Sequence, residues 1–323
     1  MSRDRTASRM EESEKRHPIR VAAKRSGTPE STLRAWERRY KAVVPGRADT
    51  GRRLYSDLDI RRLQLIRHAL DGGRSISSVA PLTDRELRDL ISEDRAALTS
   101  REHAFPFDAD LSSELVDQCR EAVGQLDARS LSAILGRATT KLPTLVLIDE
   151  VIGPLLEQIG EDWYEDRLSP RHEHLATNVI RSILTQLQLN ALGETTKTIV
   201  VATPSGQHHD LGTQFVSALA VAEGWNVLNL GANIPARDIA LTAEETGAEV
   251  VALSIVYPPD DPNVIDTLDQ LGEHLHRSIT LVVGGQAAGS YANNIKAAGG
   301  IEVQGSGDFV KILRAHLERL RHV

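Results

Sequence analysis

The apolar run TIVVATP, residues 198–204, ends in the polar turn Ser205-Gly206-Gln207-His208-His209-Asp210-Leu211-Gly212. A histidine on a loop just beyond the carboxyl end of a strand can present a ring nitrogen to a metal or cofactor. Gly212 lets the following helix begin close beneath that histidine. Two later apolar runs end in small residues: Ser254-Ile255-Val256 and Gly284-Gly285. His208 reads as an ordinary surface-loop histidine. A dinucleotide fingerprint is excluded, because no G-x-G-x-x-G stands at the first turn. Upstream, Trp163 is followed by nine residues and then Glu173-His174. Near the N-terminus, Arg34, Arg38 and Lys41 share one face of a helical pattern, with Arg39 beside them, while Leu33, Trp36 and Tyr40 share another. A basic face opposite an aromatic one suits contact with a DNA groove. Arg52 and Arg53 then sit in a basic loop that can lie against phosphates.

These residues need three kinds of element to position them. Residues 18–90 show short helical stretches broken at Gly27-Thr28-Pro29, Pro45-Gly46 and Gly72-Gly73, with Ser56-Asp57 capping the helix from Leu58. Residues 111–195 carry long helical periodicities and predict a bundle of about four helices. From 196 to 323, runs rich in branched residues (TIVVATP, NVLNLG, EVVALSIVY, ITLVVGG and the short IEVQG) alternate with amphipathic segments. Strict alternation of that kind predicts a parallel sheet with helices on both faces, whose ligands sit beyond the strands' carboxyl ends. The expected division is a leader over 1–17, a DNA-binding domain over 18–90, a connector over 91–110, a helical cap over 111–195 and an α/β domain over 196–323.

Bulk properties narrow the class. A chain of 323 residues with 41% hydrophobic and 26% charged residues reads as a soluble protein of two or three domains. No run approaches the roughly 18 apolar residues of a membrane span. The first residues lack the apolar core of a signal peptide, which together with the single cysteine, Cys119, points to the cytoplasm. The net charge of -7 hides an asymmetry: residues 1–90 hold 21 basic and 13 acidic groups, a balance of +8, while the remainder carries -15. A basic head on an acidic body is the electrostatic footprint of a nucleic-acid-binding regulator.

The ordered run LRAWERRYKAVVPGRADTGRRLYSDLDIRRLQLI, continued by Gly73-Arg74-Ser75-Ile76-Ser77, closely resembles the winged helix-turn-helix of the MerR family. The resemblance implies a head that binds double-stranded operator DNA. The segment around His209 is similar to the D/E-x-H-x-x-G signature of cobalamin-binding domains, and Ser254-Ile255-Val256 and Gly284-Gly285 fall where that family places its S-x-L and paired glycines. This implies a flavodoxin-like, Rossmann-like parallel-sheet domain in which His209 ligates the cobalt of a cobalamin. The lower nucleotide then threads past small residues between strand and helix. Gln207 stands where the family has an acidic residue, so any bond supporting the His209 ring from behind would come from an uncharged carbonyl. Val256 replaces leucine and keeps an apolar wall.

The spacing from Trp163 to Glu173-His174 resembles the W-x9-E-H element of the CarH and LitR type of adenosylcobalamin photoreceptors. By that resemblance Trp163 covers the upper axial group, and Glu173 and His174 meet the adenosyl moiety. Members of that type often have histidine directly after the tryptophan; here Tyr164 stands there. The resemblance implies a non-enzymatic regulator with no catalytic residue. Its adenosylcobalamin-bound form assembles in the dark into a homotetramer on an operator, and light breaks the assembly and releases DNA. Alternatives are a cobalamin-binding regulator without a light response and a corrinoid-carrying subunit of a methyl-transfer enzyme.

Overall fold

The computed structural model describes residues 16–48, 51–71, 74–91, 109–164, 167–190, 197–257 and 261–318. The leader up to residue 15, the connector segment 92–108, Gly72-Gly73 and the side chain of Tyr164 lie outside the described residues. The chain divides into two compact units, Met1–His103 and Ala104–Val323.

In the first unit, strand β1 (His17–Pro18) leads into helix α1 (Ile19–Ser26), which stops at Gly27 in the left-handed conformation with φ 66°. Helix α2 (Glu30–Tyr40) follows, then strands β2 (Gly46–Arg47) and β3 (Arg53–Tyr55), and helices α3 (Asp57–Asp71), α4 (Ile76–Val79) and α5 (84–91). The three strands form a small antiparallel wing in the order β1-β3-β2. Leu33 and Trp36 are buried with Tyr55, Ile60, Leu63 and Leu87, and Tyr40 packs on that core, as the helical spacing requires. The cap of α3 differs in detail from expectation. Ser56 Oγ accepts from the Asp59 N–H, and Asp59 accepts in return from the Ser56 N–H, a reciprocal capping box. Asp57 instead receives Arg16, His17 and Arg25.

The second unit opens with helices α6 (Ala109–Gly124) and α7 (Ala128–Lys141). Next comes α8, in which Thr144–Val146 passes through a π turn at Leu147–Ile152 into Gly153–Tyr164, and then α9 (Pro170–Asn190). The α/β part runs β4 (Thr198–Pro204), α10 (Leu211–Ala222), β5 (Asn226–Ile234), α11 (Ala236–Glu245), β6 (Val250–Ser254), α12 (Pro262–His274) and β7 (Thr280–Gly284). It ends with α13 (Ala292–Ala297), β8 (Ile301–Glu302) and α14 (Ser306–Glu318). All neighbouring strands pair in parallel, in the order β5-β4-β6-β7-β8. Counting strands along the chain, that is the flavodoxin order 2-1-3-4-5, whose switch point lies between the first and third strands. Here those are β4 and β6.

Strand alternation divides the core. Ile199, Val201, Val250, Ala252 and Val282 point into a cluster shared with the helical bundle, α10 and α14. Val200, Ala202, Val251, Leu253 and Val283 point to the opposite face and pack against α11, α12 and α13. Bundle and sheet therefore share one hydrophobic interior, with α9 packed directly along α10.

Candidate functional site

His209 lies on the loop between β4 and α10, beyond the carboxyl end of the first strand. Its imidazole is exposed and makes no hydrogen bond among the described residues. The loop beneath it is firmly tied. Gly206 takes φ 84°, and its N–H donates to Asn233 Oδ1 at 2.8 Å. Asn233, itself left-handed at φ 59°, donates its own N–H to the Gln207 carbonyl at 3.0 Å, and Thr203 Oγ1 donates to that same carbonyl. Asn is among the few residues that adopt this conformation readily.

Gln207 is 1% exposed, and its side chain does not approach the His209 ring as a hydrogen-bond acceptor. Its Oε1 accepts instead from the backbone N–H groups of Val256 and Tyr257, each at 3.3 Å, so the amide braces the end of β6. The donors fix the orientation of the amide, and Nε2 is buried without a partner among the described residues.

Ser254 ends β6 directly opposite Gly284 at the end of β7. A Cβ on Gly212 would collide with Ser254 Oγ, so the start of α10 can press on the strand end only as glycine. Gly285, at φ 104°, would carry a Cβ 2.5 Å from the Ile255 carbonyl oxygen. On Gly284 it would meet Val303 at 2.8 Å. His209, Gln207, Gly212, Ser254, Val256, Gly284 and Gly285 thus gather along three adjacent strand ends at the sheet's switch point. An imidazole donor without a partner among the described residues, exposed at the strand ends of the switch point, fits a metal-centred cofactor. A corrinoid matches that description.

On the bundle, Trp163 is 47% exposed near the end of α8, and Glu173 and His174 are exposed on the first turn of α9. Asp162 organises the connection between them. Its carboxylate takes two bonds from Arg120 at 2.7 and 2.9 Å and one from Arg167, and its carbonyl accepts the N–H groups of Arg167 and Leu168. Burial opposes its charge, but the guanidinium groups of Arg120 and Arg167 outweigh that and hold the Asp162 carboxyl below the usual carboxylate range. His172 is buried and caps α9, its Nδ1 facing the Ser169 N–H at 3.0 Å and the Ser169 hydroxyl at 2.9 Å. It is thereby committed to the helix start.

The head separates its predicted arginines into two groups. Arg38, Arg39, Lys41 and Arg52 are exposed and form no ion pair among the described residues. Arg34 pairs with Glu30 one turn earlier at 3.0 Å. Arg53 is held by Glu37 at 2.7 Å, and the Tyr55 hydroxyl donates to the same carboxylate. Burial, then the bond to Glu37, raises the Tyr55 pKa and keeps the phenol a donor. Arg53 therefore anchors the wing to α2. In the bundle core, burial pushes the Cys119 thiol up to about 12, which keeps it an inert apolar filler. Among the described residues no helix is long and apolar enough to cross a membrane.

Comparison with known proteins accounts for the same regions. Residues 18–86 match the family described as MerR HTH family regulatory protein. Residues 197–312 and 115–188 each match a family described as B12 binding domain. The chain is 30% identical to the HTH-type transcriptional repressor CarH of Myxococcus xanthus over 86% of its own length and 91% of that protein. The chain belongs to the CarH-type MerR regulators. It is 28% identical to the repressor CarA of the same organism, over 91% of this chain and 95% of CarA. A dimethylamine corrinoid protein of Methanosarcina acetivorans is 24% identical over 54% of this chain and 84% of its own. As a CarH-type regulator the protein is a DNA-binding, cobalamin-binding transcription factor and not an enzyme.

Proposed function

We propose that this CarH-type regulator represses transcription while adenosylcobalamin occupies the crevice above His209, and that light ends the repression. The observation that carries the reading is the exposed imidazole of His209, unengaged among the described residues, at the switch point of the sheet. His209 would hold cobalt from below. Ser254, Val256, Gly284 and Gly285, with Gly212 facing them, would line the path of the nucleotide, and Gln207 would keep the end of β6 in place. Trp163 would cover the upper face, with Glu173 and His174 directed to the adenosyl group. When bound, adenosylcobalamin supplies a cobalt–carbon bond that visible light cleaves.

The domains would divide at 18–90, 111–195 and 196–323, and the dark form would be a homotetramer on operator DNA in the cytoplasm. Arg38, Arg39, Lys41 and Arg52 contact DNA directly, Arg34 can leave Glu30 to join them, and Arg53 sets the wing. The cofactor biases a bistable assembly. Support for repression comes from the two Myxococcus relatives, both transcriptional repressors by name.

Selection of duplexes from a random pool tests the reading whatever the operator sequence is. Protein loaded with adenosylcobalamin should enrich a defined sequence in the dark and release it after illumination. Enrichment that survives illumination would favour a cobalamin sensor without a light response. Enrichment that is the same with and without cofactor would remove cobalamin from the switch altogether.

A further inference from the structure

Asp210 stands at the N-cap of α10, where an aspartate ordinarily accepts from the first N–H groups of its own helix. It does not cap: no side-chain cap bond forms. Its carboxylate reaches across to Arg181 of α9, with Nη1 donating to Oδ2 at 2.7 Å. Further along the same pair of helices, Gln188 Nε2 donates to Gln214 Oε1 at 3.1 Å. Around these polar contacts the seam is apolar, with Ile180, Leu184 and Leu187 in the same cluster as Leu211, Phe215 and Ala218. Apolar packing alone permits small slides of one helix on another, whereas a directional ion pair fixes their register.

We propose that Arg181 and Asp210 are positioning residues that lock the His209 loop to the helix carrying Glu173 and His174, so that the bundle and the cobalt ligand move together. The inference rests on the cobalamin reading of His209 and adds the coupling element to it. Asp210 is joined to His209 by a single peptide bond. Arg181 lies about 10–12 Å along α9 from Glu173 and His174, at ~1.5 Å per residue. Any displacement of the bundle that follows a change above the corrin then pulls on the loop below it. With Arg181 gone, Asp210 is free to turn back and cap α10, and His209 loses its fixed height.

The test compares Arg181→Gln, Asp210→Asn and Arg181→Lys with the parent. In the ligand-free protein, hydrogen exchange at the amides of residues 207–212 is expected to speed up in the first two variants and to stay near parental in Arg181→Lys. In protein labelled with 15N-histidine and loaded with cob(II)alamin, electron paramagnetic resonance reads the 15N splitting from His209. Arg181→Gln and Asp210→Asn are expected to show a mixed signal with part of that splitting lost, and cobalamin affinity about five-fold weaker, the scale of one partly exposed ion pair. Melting of the ligand-free variants should stay within a few degrees of the parent, which separates positioning from a general loss of fold. Parental exchange and the full splitting in both variants, with the splitting present in the parent and absent from His209→Ala, would overturn the latch alone. A parent without that splitting, or a His209→Ala protein that keeps it, would overturn the reading on which the latch stands.

Discussion

Replacing His209 by alanine removes an imidazole that no other described group engages, so the fold should tolerate the change while the cofactor does not. His209→Ala is expected to melt like the parent, to bind cobalamin more weakly, and to lose the absorption features of a histidine-ligated corrinoid. Trp163→Ala should still bind the corrin but discriminate less between adenosyl and smaller upper groups, as read by competition. Tyr164 puts a phenol directly after Trp163, and a neutral phenol is a poor metal ligand compared with an imidazole. Dialysis after illumination should therefore strip the corrinoid; retention through prolonged dialysis would contradict this. The strand-end residues are legible in the sequence because each lies in a short local pattern: a histidine three residues before a glycine, a serine closing an apolar run, a glycine pair. The partners of the ligand loop are not. Asp210 pairs with Arg181, which lies 29 residues away with nothing in between to connect them. Sequence proximity suggests Gln207 as a neighbour of the histidine ring, whereas two backbone donors from the adjacent strand claim its carbonyl first.

Helix α10 meets the end of β6 without room for a side chain. Gly212→Ala would place a methyl group against Ser254, an overpacking that costs about 1–3 kcal/mol. Ser254→Ala removes the closer of the two clashing atoms, so the double variant should recover part of the loss in a double-mutant cycle. Additive losses would show that α10 and β6 do not press together here. In the head, Asp57 ties β1 and α1 to the start of α3. Burial opposes its charge, but bonds from His17, Arg16 and Arg25 bring its pKa down from 3.8 to about 2. A depressed folded-state value means stability that is present above the unfolded pKa and is lost as pH falls through the folded one. Between about pH 4 and 2 the head of the parent should lose more stability than that of Asp57→Asn, measured by circular dichroism; equal losses would contradict the assignment. Long elements are legible from periodicity, down to the four bundle helices and the parallel class of the sheet. The two-residue strands β1 and β2 and the π turn in α8 are not, because so few residues establish no period.

Over the full chain, a head at +8 and a body at -15 predict DNA binding driven by the head's cations and strongly weakened by salt. Arg38→Ala with Lys41→Ala should lower the log–log salt slope by roughly 0.9 for each phosphate that is no longer neutralised, with cofactor loading unchanged. Arg53→Ala and Glu37→Gln should both loosen the wing and resemble each other in DNA affinity, because each breaks the same ion pair. The charge division is plain in the sequence, but which arginines are spoken for by carboxylates depends on the folded neighbours. If a corrinoid held at His209 governs the assembly that binds DNA, cofactor and assembly must stand or fall together. Size-exclusion chromatography of adenosylcobalamin-loaded protein, with absorbance followed at protein and corrinoid wavelengths in the dark and after illumination, reads both at once. Corrinoid should co-elute with a four-chain species in the dark, a smaller species should appear after light, and His209→Ala should show no co-elution. A species of the same size in dark and light, or corrinoid that co-elutes undiminished with His209→Ala, would contradict that dependence.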